Sequence, residues 1–192
     1  MIGQDQLEQQ ALLLTSRDWN TRRTARDALI AAGSTGLAVV LKGLDHAESR
    51  VRRRCLDFLD HHADELCFDD LRRVALQDPV PQVRRFAVHA LSCVRCKTSP
   101  LQADVVGFVA EVAGRSDENV KVRREAIYML GQLPRSSGAI AVLKQVLEQE
   151  SDAGLQKAAH RVLRLHDGEF RRVTDDRARQ ASMARTRSRR PA

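Results

Sequence analysis

One nine-residue segment recurs five times, and that recurrence constrains the fold more than any other feature of the chain. The copies are TRRTARDAL from Thr21, VRRRCLDFL from Val51, VRRFAVHAL from Val83, VRREAIYML from Val122 and LQKAAHRVL from Leu155, spaced by 30, 32, 39 and 33 residues. Each follows a polar loop, and each loop follows a second apolar-periodic run: DQLEQQALLL, TGLAVVLKGL, DELCFDDLRRVAL, ADVVGFVAEVA and GAIAVLKQVL. Gly, Pro and Asp fall between the runs, where helices stop and start. Strand-type alternation is absent. A unit this short cannot bury its apolar face alone and must stack on its neighbours. The reading is all-α: ten helices in five antiparallel pairs over about residues 5–166.

The V-R-R-x-A-x-x-x-L segments and their period resemble the HEAT repeat, in its short phycobilisome-lyase-like form. The resemblance implies a right-handed α-solenoid of armadillo type with about five helix pairs. It also implies a ladder of Asp and Arg that links repeats through the loops. Asp78 lies six residues before Arg84, and Asp117 six before Arg123. The same Asp could cap the second helix by accepting from its free N–H groups. The outer repeats depart from the pattern, as terminal caps do: Ser16 and His46 stand where the Asp would be, and repeat 5 carries Glu150 with Gln156 in place of Arg.

With 100° per residue, the positions zero, four, seven and eight of each segment fall on one side and form the core face. Two positions point the opposite way. The second holds Arg23, Arg53, Arg85, Arg124 and Lys157; the sixth holds Asp27, Asp57, His89, Tyr128 and Arg161. The resemblance puts the second helices on the concave surface. A basic row, one residue per repeat, would then run roughly 40 Å at about 10 Å per helix layer. Uncompensated positive charge is expected in repeats 3–5, because the adjoining row is acidic only in repeats 1 and 2. The expected partner-binding residues are Arg23, Arg53, Arg85, His89, Arg124, Tyr128, Lys157 and Arg161.

The net charge of +7 divides unevenly. Residues 168–192 carry eight Arg against three acids, whereas residues 1–167 carry 24 basic and 22 acidic residues. Two units are therefore expected: a repeat solenoid over 1–167 and an Arg-rich, largely disordered tail over 168–192. A short helix over Asp175–Met183 and docking of Phe170 and Val173 on the last repeat are compatible with the pattern. Arg185, Arg187, Arg189 and Arg190 are the candidate tail contacts with an acidic or nucleic-acid partner.

No catalytic residues are expected. The chain has no phosphate loop, nucleophile elbow or zinc-protease helix. None of its six His precedes a Glu, which excludes the His-Glu pairs of a HEAT-like di-iron hydroxylase branch. One Trp, Trp19, reads as a cap over the first repeat, and one Tyr is thin support for base stacking. Cys93 and Cys96 form a CxxC, but a zinc site needs two more ligands. Cys67, His61 and His62 are candidates that no spacing brings there, so no metal and no cofactor are expected, and buried cysteines act as small hydrophobes.

There is no run of 18 apolar residues and no basic-then-apolar leader, so a cytoplasmic chain with no membrane partner is expected. The expected function is a non-catalytic interaction module, a scaffold that takes an acidic or extended protein segment in its groove. Nucleic-acid binding through the basic row and tail is the alternative. A phycobilin-lyase-like, chromophore-handling role is a third, which no residue set selects. The oligomeric state is not set by the sequence.

Overall fold

The computed structural model describes residues 3–97, 101 and 103–188, with side chains to 182. Every regular element among them is helical: α1 Gln4–Leu13, α2 Trp19–Ala31, α3 Gly33–Lys42, α4 Ser49–His62, α5 Phe68–Gln77, α6 Pro81–Ser92, α7 Val105–Gly114, α8 Val120–Leu130, α9 Ser137–Gln149, α10 Ala153–His166 and α11 Gly168–Ser188. Short 3-10 turns, Gly43–Asp45 and Glu65–Cys67, join two of them. The first ten helices form five antiparallel pairs, and the chain is an all-α solenoid as expected.

Polar residues before the second helices set their starts. Asp18 accepts from the Thr21 N–H at 2.7 Å, Asn119 from Lys121 at 2.9 Å, and Asp152 from Leu155 at 2.8 Å, each satisfying a donor the helix cannot pair itself. Helix α6 starts on Pro81, which needs no N–H there. Between α2 and α3 the chain turns at Gly33, whose φ of +57° favours a residue without a Cβ.

The core face of the repeat is as the register predicts. Position four (Ala25, Cys55, Ala87, Ala126, Ala159) is fully buried, and position eight (Leu29, Leu59, Leu91, Leu130, Leu163) is nearly so. The small residue lets second helices approach, while each buried Leu contributes about 1.5–3 kcal/mol. Gly36 permits a still closer contact: a Cβ there would lie 2.1 Å from the Leu29 carbonyl oxygen.

The ladder forms, in a different register from the one expected. Arg52 makes a buried bidentate pair with Asp78 (2.6 and 2.9 Å), Arg84 with Glu118 (2.9 and 2.6 Å), and Arg123 pairs with Glu150 at 2.5 Å. Each Arg therefore reaches the acid of the following repeat. The six-residue spacing reflects a second contact: Arg52, Arg84 and Arg22 donate to the backbone carbonyls of His46, Asp78 and Ser16 in their own loops. Asp117 is not a rung. It is exposed and pairs with Arg115, because Glu118, one residue on, has the longer side chain and the inward direction.

The C-terminal segment is helical over a longer stretch than expected. Helix α11 continues to Ser188, well beyond the short helix over Asp175–Met183. Asp167 starts it by accepting from the Glu169 and Phe170 N–H groups and is held in turn by Lys144 at 2.8 Å. Phe170 sets its ring edge on His160, and Arg164 ties Thr174 and Asp175 at 2.9 and 2.7 Å. Val173, expected to dock beside Phe170, stays exposed. Arg189 and Arg190 lie outside the described residues, and Arg185 and Arg187 have helical backbone only.

Candidate functional site

The second helices α4, α6, α8 and α10 lie side by side, while α5 stands farther from α3 and α7. Helices α5 and α7 meet through long side chains, such as Phe68 edge-on to Phe108 at 6.5 Å. Through the middle of the array the second helices are therefore the closer layer, although α1 also packs on α3 and α7 on α9. Positions two and six of the repeat lie on the side of the second helices turned away from the core.

The surface has three zones. The middle is a hollow of about 270 Å³ between α4, α6 and α8, lined by Asp57, Asp60, Arg85, Phe86, His89 and Glu125. Its charges balance locally. Arg85 lies 3.8 Å from Glu125 and 5.5 Å over the Phe86 ring, and the Arg53 guanidinium lies 5.6 Å over the same ring. His89 Nδ1 is 2.9 Å from Glu125 Oε1, and its Nε2 is 3.8 Å from Asp60 Oδ2. The hydrogen bond to Glu125 outweighs partial burial and raises the His89 pKa. Glu125 and Asp60 were missed by the sequence reading, and they remove the excess charge expected at Arg85 and His89.

The N-terminal zone is a hollow of about 410 Å³ that gathers Trp19, Arg22, Arg23, Arg26 and Arg54 with Asp27 and Asp57. Arg54 pairs with Asp57 at 2.7 Å and Arg23 sits 3.8 Å from Asp27, but Arg26 has no acidic partner among the described residues. Trp19 does not cap the repeat. It is 58% exposed, with the Arg23 guanidinium 5.4 Å over its ring. Positive charge is thus not confined to repeats 3–5, because Arg26 and Arg54 sit at positions that the two-row reading did not count.

The C-terminal zone carries Arg124, Tyr128, Lys157 and Arg161, all exposed. Arg124 lies 3.7 Å from Asp152, whereas Lys157 and Arg161 have no ion pair among the described residues. Tyr128 and Leu165, 55% and 67% exposed, add apolar area to the same end.

Behind the middle hollow, the CxxC acquires neighbours. Asp60, His89, Cys93 and Cys96 each place one donor atom so that all four lie within 4.8 Å of one another. Cys93 ends α6, and the following turn brings its Sγ to 2.9 Å from Cys96 Sγ. Burial raises the Cys93 thiol, but hydrogen bonds from Cys96 and from backbone N–H groups outweigh it and lower the pKa. Its partner Cys96 is pushed up to about 12 by Cys93. Lys97 is buried beside them and donates to the Ala90 and Asp60 carbonyls; burial lowers its pKa. The residues named from sequence as fellow ligands lie elsewhere: Cys67 donates to Asp64, His62 stacks on Phe58, and His61 faces the Cys96 carbonyl. The longer connection around Cys93–Leu101 falls partly outside the described residues.

The sequence model of a family described as HEAT repeats matches residues 68–164, in agreement with the architecture. Two crystal structures of engineered proteins are among the solved structures to which the chain is similar. One is 19% identical over 83% of this chain and 78% of its own, with a TM-score of 0.46; the other is 21% identical over 83% and 80%, with a TM-score of 0.49. No curated protein matches the chain. No helix among the described residues is long and apolar enough to cross a membrane.

Proposed function

The chain belongs to the HEAT-repeat family, and on that premise we propose that it is a non-catalytic interaction module whose inner surface holds an extended acidic protein segment. The observation that carries the reading is the C-terminal zone. Arg124, Lys157 and Arg161 present exposed positive charge around the accessible Tyr128 ring and Leu165, a combination suited to acidic side chains interspersed with apolar ones. The balanced middle hollow offers Arg85 and Arg53 stacked on Phe86 as a rigid floor, and Arg23 by Trp19 closes the other end. The division at Asp167 separates this solenoid from a C-terminal arm whose Arg residues, Arg185, Arg187, Arg189 and Arg190 included, add a second attachment point.

Nucleic acid is the second reading, favoured by one feature: Trp19 stands exposed within the Arg-rich N-terminal hollow, where a base could stack.

The test is fluorescence anisotropy of the full chain with a labelled Glu/Asp-rich peptide containing leucines, and with labelled single-stranded and duplex DNA, each at low and physiological salt. Arg124→Glu/Arg161→Glu should weaken the peptide by at least about tenfold through like-charge repulsion. Equal peptide binding by the variant, or tighter binding of DNA than of peptide at physiological salt, overturns the reading.

A further inference from the structure

We propose that Asp60, His89, Cys93 and Cys96 form a zinc site that fastens the end of α4 to the end of α6 and the turn that follows it. The donor set is the first argument. Two thiols, one imidazole and one carboxylate are the ligands of a closed tetrahedral zinc centre, and the thiolates disfavour the hard cations magnesium and calcium. Three come from one short stretch, His89-x3-Cys93-x2-Cys96, and Asp60 comes from the neighbouring repeat.

Geometry is the second argument. The four donor atoms lie within 4.8 Å of one another. Around a tetrahedral zinc with Zn–S of about 2.3 Å and Zn–N and Zn–O of about 2.0–2.1 Å, neighbouring donors are about 3.3–3.8 Å apart. His89 Nε2 and Asp60 Oδ2 are already at 3.8 Å. The two Sγ atoms, at 2.9 Å, must separate by somewhat under 1 Å, which side-chain torsions at the helix end can supply.

The surroundings are the third. A carboxylate only accepts, so His89 donates from Nδ1 to Glu125 and turns the Nε2 lone pair toward the cluster. A zinc-ligating histidine ordinarily donates its other ring N–H to a carboxylate in this way. Asp60 Oδ1 is buried without a hydrogen-bond partner among the described residues, an acceptor left waiting for a cation. Two thiolates and a carboxylate carry three negative charges, which the two of zinc and the one of the buried Lys97 ammonium neutralise. Zinc binding expels one proton from each thiol and forms two Zn–S bonds; no electrons move. The ion has a route in, because Asp60 and His89 line the middle hollow. The assignment removes His89 from the partner-contacting set and gives it a structural task beneath the groove.

The test uses the full chain, reduced and freed of metal, titrated with cobalt(II) and then zinc(II). One equivalent of cobalt should bind, with the visible bands of a tetrahedral centre and a near-ultraviolet thiolate-to-cobalt band. Zinc should displace it, and metal analysis should return one zinc per chain. Cys93→Ser/Cys96→Ser should abolish the charge-transfer band and stoichiometric zinc. Glu125→Gln, which leaves all four ligands in place, should weaken zinc by about 10–100-fold. Should the double serine variant fail to fold by circular dichroism, Asp60→Asn and His89→Gln carry the same test, with the visible bands shifted and the affinity lowered. A folded, reduced wild-type chain that takes up no metal overturns the proposal. So does unchanged uptake by the serine variant, or a chain isolated with a Cys93–Cys96 disulfide that binds no metal once reduced.

Discussion

Replacing Arg52 by alanine should cost about 3–5 kcal/mol, the range for removing one partner of a buried ion pair. The arithmetic follows from its contacts. Arg52 makes two hydrogen bonds to Asp78 and one each to the carbonyls of His46 and Ala47, with both charged side chains nearly inaccessible. The variant leaves Asp78 buried with the Val80 N–H as its remaining hydrogen bond. Against a typical total of about 5–15 kcal/mol, that is a large fraction of the stability of the chain. The assay is urea denaturation at neutral pH followed by helical circular dichroism. Arg72→Ala, which removes an exposed pair to Glu111 at 3.8 Å, serves as the comparison and should cost at most about 1 kcal/mol. Adding Asp78→Ala to Arg52→Ala removes the stranded carboxylate, so the double variant should be no less stable than Arg52→Ala alone. A cost below about 1 kcal/mol for Arg52→Ala, or simple additivity in the double variant, would refute the ladder as the joint between repeats 2 and 3.

Two further outcomes follow from the same framework. Gly36→Ala should destabilise by about 1–3 kcal/mol, since its Cβ would meet the Leu29 carbonyl oxygen at 2.1 Å, whereas Gly138→Ala, with its nearest neighbour at 3.7 Å, should be neutral or stabilising by up to about 1 kcal/mol; thermal melts decide. Backbone N–H groups at Asp152 and Ser151, together with Arg123, hold the Glu150 carboxyl below its ordinary value of 4.5. Its stabilisation is therefore present above that value and lost as pH falls through the lower folded one. The stability difference between wild type and Glu150→Gln should stay level from neutral pH down to the ordinary carboxylate range and shrink below it; a difference independent of pH would contradict the pairing.

Within a repeat, the sequence was a reliable guide, because the apolar positions answer to helix geometry alone. Ala25, Cys55, Ala87, Ala126 and Ala159 are buried where the register put them. Contacts between repeats were harder to read, since they depend on how far each helix slides along the next. The rung falls on Glu118 and not on Asp117 because side-chain length and direction in the loop decide which acid reaches the neighbouring Arg84. The line of Asp60, His89 and Glu125 shows the slide clearly. Asp60 is the ninth residue after Val51, His89 the sixth after Val83, and Glu125 the third after Val122, and the three lie in a line across α4, α6 and α8. A three-residue offset between successive copies would have exposed the line in the sequence. Periodicity within one helix does not contain it. The helix at the C-terminus is longer than its own pattern suggests because Asp167 and Arg164, which precede it, tie its first half to α9 and α10, where Phe170 also meets His160.

The ladder of buried ion pairs has three rungs, and the joint between the first two repeats lacks one. Arg22 gives its hydrogen bonds to the carbonyls of Ser16 and Arg17 within its own loop, and α2 lies farther from α4 than any later second helix lies from its neighbour. Crossing that joint are the packing of α1 and α2 on α3, the exposed Lys42–Glu8 pair and the Arg50 bond to the Thr15 carbonyl. Exposed pairs weigh little against a buried rung, so heating should open the first repeat ahead of the other four. The hollow bounded by Trp19, Arg26 and Arg54 spans this joint, and faster hydrogen exchange in α1 and α2 than in α4 to α10 is the expected sign that its walls part first.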